Sequence, residues 1–203
     1  MDFLVILFNI IVVLFSVILH ELSHGLAAHS MGDNTAKNLG RITLNPLKHL
    51  DPFGSVLLPI FTYWMGGFVF GYAKPVPYNP ANLSDKKYGA AKVAIAGPLV
   101  NLMIALLFGL VLRLLPTALE STMLPQLLSF VVLINLALAI FNLMPVPPLD
   151  GHWLLLTFLP NRFHAFKEAL VRYSTFIFIV FLIFILPIIY PLIYLLFRII
   201  VGI

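Results

Sequence analysis

The sequence predicts an all-α polytopic membrane protein, a helix bundle carrying a short β-strand region and a re-entrant hairpin. Three observations lead there. Of the 203 residues, 61% are hydrophobic and only 10% are charged, and the mean hydropathy is +1.04. A soluble domain is about half apolar and about a quarter charged, so this chain lacks the polar surface to coat a globule in water. Four runs, Phe3–Leu19, Val93–Leu115, Leu124–Leu143 and Ser174–Phe197, approach or exceed the ~20 apolar residues that cross a bilayer. Between them lie short polar segments rich in proline and glycine, which stop helices rather than extend them.

The first helix runs from about Phe3 to Ser30 and stops at the turn-forming "MGDN". It opens on Asp2 instead of a basic residue and has no small-residue cleavage site, so it reads as a retained helix, not a signal peptide. The polar stretch "TAKNLGRITLNPLKHLDPFG" follows, and its Arg41–Asn45 alternation suggests a short strand. Ser55–Phe70 is apolar but contains Pro59 and the Gly66-Gly67 pair, which favour a hairpin that enters the membrane and returns. The next stretch, "GYAKPVPYNPANLSDKK", is too rich in proline to be helical. Long helices are expected at Tyr88–Leu115 and about Leu124–Leu143, with "MPVPPLDGH" breaking the chain after the second. A basic amphipathic stretch, Asn161–Tyr173, sets Phe163, Phe166 and Leu170 on one face and leads into a last apolar run interrupted by Pro187 and Pro191.

Charge gives the orientation. Loop 31–52 carries Lys37, Arg41 and Lys48, and loop 71–92 carries Lys74, Lys86, Lys87 and Lys92. Both belong on the cytoplasmic side, which a hairpin at 55–70 allows and a full crossing forbids. Every polar motif then falls near one face of the cell membrane. The net charge of +4 is accounted for by these loops and calls for no nucleic acid. With no cysteine, disulfides and thiolate metal sites are excluded.

The chemistry concentrates in "HELSH". His20 and His24 are four apart, so on a helix both imidazoles leave one side and can share a metal ion. Glu21 is placed to hold the metal's water and take its proton. Ionisable groups inside an apolar helix are costly and therefore functional by default. A third ligand is required. His29 lies half a revolution from His20 and faces elsewhere. Asp2 sits at the opposite membrane face, and Asp33, Asp51 and Asp85 read as solvated loop carboxylates. Asp150 follows the proline-broken segment on the same side as His24; its neighbour His152 is the rival.

These residues resemble the site-2 protease family of intramembrane zinc metalloproteases. The resemblance spans His20–His152 and rests on "HELSH", "GRITLNPLKHLDPFG", "AGPLVN" (Ala96–Asn101) and "NLMPVPPLDGH" (Asn142–His152). It implies one zinc ion per chain held by His20, His24 and Asp150, Glu21 as catalytic base, and polar roles at the substrate carbonyl or oxyanion for Asn101 and Asn142. It also implies a single domain over residues 1–203, with a catalytic core at 1–152 and amphipathic and membrane helices at 153–203. The substrate is then a transmembrane protein or peptide in the lipid bilayer, cleaved near the cytoplasmic face. The Arg41–Leu44 strand and the "AKPVP" stretch offer an edge on which such a substrate could lie extended by strand addition. The chain departs from larger relatives in having no room for a PDZ or nucleotide-sensing domain, in beginning with the zinc helix and in inserting Ser55–Phe70. Two other readings compete: a membrane ion or metal transporter, and a catalytically silent protein that binds membrane partners. The transporter has no good use for Glu21 at that spacing, and the complete set of ligands and base counts against the silent protein.

Overall fold

A computed structural model describes residues 3–66 and 71–203; Asp2, Gly67 and the end of the hairpin at Phe70 lie outside the described residues. The chain forms helices α1 (Phe3–Ser30), α2 (Thr35–Asn38), α3 (Leu58–Gly66), α4 (Gly89–Arg113), α5 (Thr117–Glu120), α6 (Leu124–Asn142), α7 (Gly151–Phe158), α8 (His164–Arg172), α9 (Ser174–Phe184) and α10 (Leu186–Val201). Three of them, α1, α4 and α6, are long and apolar enough to cross a membrane; α9 and α10 form a fourth candidate span bent by 62°. The break falls at Ile185, just before Pro187, whereas Pro191 is accommodated inside α10.

The bundle is organised by α4, which packs against α1, α6, α7 and α10. Buried contacts pair Ala28 of α1 with Val93 of α4, and further along the same interface the Asn101 side chain donates to Ser16 O. The two helices are therefore antiparallel. The α4–α6–α10 core is made by Ala105, Val132, Leu136, Phe197 and Val201. Outward-facing apolar residues such as Phe3 and Leu107 stay 75% and 61% exposed, as lipid contact requires. Along α1 the buried face is the every-fourth-residue row Ser16, His20, His24 and Ala28, which projects from one side of a helix.

The expected strand is absent. Arg41–Asn45 runs through bends, and no described residue lies in a β-strand. The physical reason is that its backbone groups are already spent. Arg41 N donates to Ala36 O at 2.9 Å, Thr43 N to Arg41 O at 3.1 Å, and Thr43 O pairs with the His49 ring at 2.8 Å. The "AKPVP" stretch is equally closed as an edge. Lys74 N donates to His49 O and Val76 N to Glu21, Pro75 and Pro77 have no N–H, and the Lys74 and Pro75 carbonyls accept from Arg41.

The hairpin reading fares differently. A π-helical turn, Pro52–Leu57, leads into α3, and the chain returns so that Tyr72 N donates to Gly54 O at 3.0 Å and Ser55 Oγ to Tyr72 O at 2.9 Å. Tyr72 is thus tied to both Gly54 and Ser55. The loop aspartates also differ from expectation. Asp51 caps the turn at 52–57, and Asp85 pairs with Lys92 at 2.7 Å, but Asp33 is fully buried. Its carboxylate accepts from Thr35 N and Oγ1, Asn79 N and Asn82 Nδ2, fastening the two polar loops together.

Candidate metal centre

Two distant pieces of sequence meet on the buried row of α1. His20 and His24, one turn apart, are 5% and 7% exposed, and their rings stand edge to face with centroids 4.7 Å apart. Asp150, at the start of α7, brings Oδ2 to 3.0 Å from His20 Nε2 and 3.3 Å from His24 Nε2. These three are the group among the described residues whose ligand atoms lie within 4.8 Å of one another.

The donor set fits a zinc ion. Two imidazole nitrogens and a carboxylate oxygen are the ligand types of an open catalytic zinc site. His24 Nε2 is buried without a hydrogen bond of its own, an orphan that a cation satisfies. Space is kept by Gly97 of α4: a Cβ there would stand 2.5 Å from His24 Nε2 and 2.6 Å from His20 Nε2. The other ring nitrogen of each histidine is held. His20 Nδ1 pairs with Asn101 Oδ1 at 2.6 Å, and His24 Nδ1 with Val93 O at 2.8 Å. An acceptor at Nδ1 keeps the proton there and turns the Nε2 lone pair toward the metal.

Asp150 owes its place to Gly151. A Cβ on Gly151 would fall 2.1 Å from the Leu143 carbonyl oxygen, a backbone atom that cannot step aside. Glycine alone lets the start of α7 press against the end of α6. His152, the rival third ligand, does not join the group; its Nδ1 pairs with Leu149 O at 2.6 Å and its ring lies against Trp153.

Glu21 sits beside this cluster, half-buried, and its Oε2 accepts from Val76 N at 2.7 Å. Val76 itself is 5% exposed and would be within 3.0 Å of a Cβ on Gly25, so the "AKPVP" stretch lies flat on the zinc-motif helix. Nearby, the Tyr78 hydroxyl is buried without a hydrogen-bond partner among the described residues. Burial, with the Asp150 charge, pushes its phenol up to about 12, so it remains a proton donor.

The two asparagines differ. Asn101 is wholly buried, and both ends of its amide are engaged: Oδ1 with His20, Nδ2 with Ser16 O at 3.2 Å and with Asn135 Oδ1 at 2.8 Å. No donor is left for a substrate oxygen. Asn142, at the last turn of α6, donates to Leu138 O at 3.0 Å and makes no hydrogen bond to His20, Glu21, His24 or Asp150. Sequence reasoning passed over Ser16 and Asn135, and it gave Gly97 and Gly151 no role at the metal beyond their place in the motifs. A buried asparagine seven residues before Asn142 in an apolar helix was the one signal available for Asn135.

The family model described as peptidase family M50 matches residues 8–124 and 116–186. The chain is 37% identical over 177 residues to "Putative zinc metalloprotease YwhC" of Bacillus subtilis (strain 168), covering 84% of this chain and 78% of that protein. It is 31% identical over 140 residues to "Putative zinc metalloprotease Rip2" of Mycolicibacterium smegmatis, covering 68% of this chain and 52% of that protein. The Rip2 of Mycobacterium tuberculosis (strain ATCC 25618 / H37Rv) is 30% identical over 139 residues, again with 52% of its length covered. The chain therefore spans about half the length of the Rip2 proteins it matches. No solved structure matches it.

Proposed function

The chain belongs to peptidase family M50, the site-2 proteases, and we propose that it is an intramembrane zinc endopeptidase that hydrolyses a peptide bond of a transmembrane protein near the cytoplasmic face of the cell membrane. The observation that carries this reading is the convergence of His20 Nε2, His24 Nε2 and Asp150 Oδ2 over the gap left by Gly97. One zinc ion per chain, when bound there, supplies Lewis acidity and lowers the pKa of its water to roughly 7.

The chain's own residues do the rest. Glu21 takes the proton of the attacking water and delivers it to the leaving amine, the task for which a carboxylate next to the first histidine is positioned. The Val76 amide holds one oxygen of Glu21 and leaves the other to the water. Asn142 is the candidate to hold the substrate carbonyl, since it carries only an intrahelical hydrogen bond, whereas the Asn101 amide is committed to His20 and Asn135.

That face is assigned to the cytoplasm by charge. Of the twelve Lys and Arg, Arg113 and Arg198 belong to the far ends of α4 and α10, and the other ten lie on the side of the metal site.

The decisive experiment uses the full chain purified in detergent. Metal analysis is expected to give one zinc per chain for both wild type and Glu21→Gln. Membrane proteomics of cells carrying either form should show substrate fragments only with the wild type. Cleavage that persists in Glu21→Gln, or a protein that binds no zinc, removes this reading.

A further inference from the structure

We propose that Asn135 and Ser16 are positioning residues for the metal site, acting through Asn101 to hold His20 in one tautomer and one orientation. This rests on the zinc reading of His20. The observation is a closed ring of hydrogen bonds through three helices, which starts and ends on α1. Asn135 Nδ2 donates to Ser16 Oγ at 2.9 Å and to Val131 O at 2.9 Å; Asn101 Nδ2 donates to Asn135 Oδ1 at 2.8 Å and to Ser16 O at 3.2 Å; Asn101 Oδ1 pairs with His20 Nδ1 at 2.6 Å. Asn101 and Asn135 are 0% exposed and Ser16 4%.

Direction is built into the ring. An amide can be flipped only if its neighbours tolerate exchange of donor and acceptor. Val131 O and Ser16 O are backbone carbonyls and can only accept. The NH2 of Asn135 must therefore face Val131 O, which turns its oxygen to Asn101. The NH2 of Asn101 must face Ser16 O and that oxygen, which turns Asn101 Oδ1 to His20. An oxygen there demands an N–H on His20 Nδ1 and leaves Nε2 as the lone pair. Two fixed carbonyls of the helix backbone thus dictate the tautomer of a ring on another turn.

Buried asparagines also tie apolar helices together without any such purpose. The two roles separate by what they move. A tie contributes to stability alone; a positioning residue sets metal affinity and ligand-field geometry. Loss of a hydrogen-bond partner behind a metal ligand typically weakens metal binding about 10- to 100-fold.

The test uses full-length protein in detergent, with Asn135→Leu, Ser16→Ala and, as a control for lost packing, Val132→Ala in the α4–α6–α10 core. Each is titrated with zinc against a chelator and loaded with cobalt(II) to record its visible bands, alongside thermal unfolding. Asn135→Leu is expected to bind zinc about 10- to 100-fold more weakly and to shift the cobalt bands. Ser16→Ala leaves Asn135 anchored on Val131 O, so its loss is smaller, and it serves if Asn135→Leu does not fold. Val132→Ala should lower the unfolding temperature while zinc affinity and the cobalt spectrum stay as in wild type. Wild-type affinity and spectrum in Ser16→Ala and Asn135→Leu alike overturn the proposal and leave the zinc reading intact. A wild-type chain that takes up neither metal overturns both.

Discussion

At the scale of single residues, the metal site depends as much on what is missing as on what is present. Gly97 offers the nitrogens of His20 and His24 a space that one methyl group would fill. Alanine is the better helix former by about 0.8–1 kcal/mol, so Gly97→Ala should keep α4 intact and lose metal. We expect zinc per chain, read by elemental analysis, to fall at least about tenfold with helical content unchanged. Asp33 shows a different economy. Burial pushes its carboxyl up, but hydrogen bonds from Thr35, Asn82 and Asn79 outweigh that and hold it down at about 2. A carboxyl lower in the folded than in the unfolded chain stabilises above its unfolded value, about 3.9, and that contribution goes as pH falls toward about 2. Protease cleavage within loop 71–88 should therefore rise between about pH 4 and about pH 2, and Asp33→Asn should lose this pH dependence. The histidine pair could be read from sequence because its spacing encodes one helix face. Asp33 could not, since its burial depends on Asn79 and Asn82, far away in the chain.

At the scale of elements, the "AKPVP" stretch governs the base. It cannot form a regular element, because two of its residues lack an N–H, and it is held instead by side chains. Arg41 donates to Lys74 O at 2.7 Å and to Pro75 O at 3.2 Å, fixing the stretch so that Val76 N meets Glu21. Bonds to a charged donor are worth about 1.5–3 kcal/mol. In Arg41→Ala, hydrogen exchange at the Lys74 and Val76 amides should accelerate about 10- to 100-fold while zinc content stays at the wild-type level. Unchanged exchange would mean that the stretch is held by something other than Arg41. The long helices were legible from sequence to within two residues, because length and hydropathy decide them in a bilayer. The strand was not. Alternation at Arg41–Asn45 is a side-chain pattern, whereas a strand requires unspent backbone groups, and local turns and the His49 ring had already taken them.

At the scale of the whole molecule, the antiparallel packing of α1 and α4 constrains everything between them. His20 lies beside Gly97, and Ser16 beside Asn101, so the end of α1 and the start of α4 are on one side of the bundle. Segment 31–88 then begins and ends on that side, and Tyr72 meets Gly54 and Ser55, the two ends that a hairpin turning back within the membrane would bring together. The charge pattern leads to the expectation that these ends share one side; the pairing of Tyr72 with Gly54 and Ser55 had no sequence signal. The absence of native cysteines allows a direct test by single-cysteine labelling in sealed vesicles. A membrane-impermeant maleimide should reach Lys37→Cys, Lys87→Cys and Arg162→Cys from the cytoplasmic side, and Thr117→Cys, between α4 and α6, only from the other. Trp64→Cys, in the 85% exposed tip of α3, should not be labelled from the far side if the hairpin turns back within the membrane. Labelling of residues 37 and 87 from opposite sides would break the antiparallel pairing, and with it the meeting of His24 and Asp150 at one membrane face.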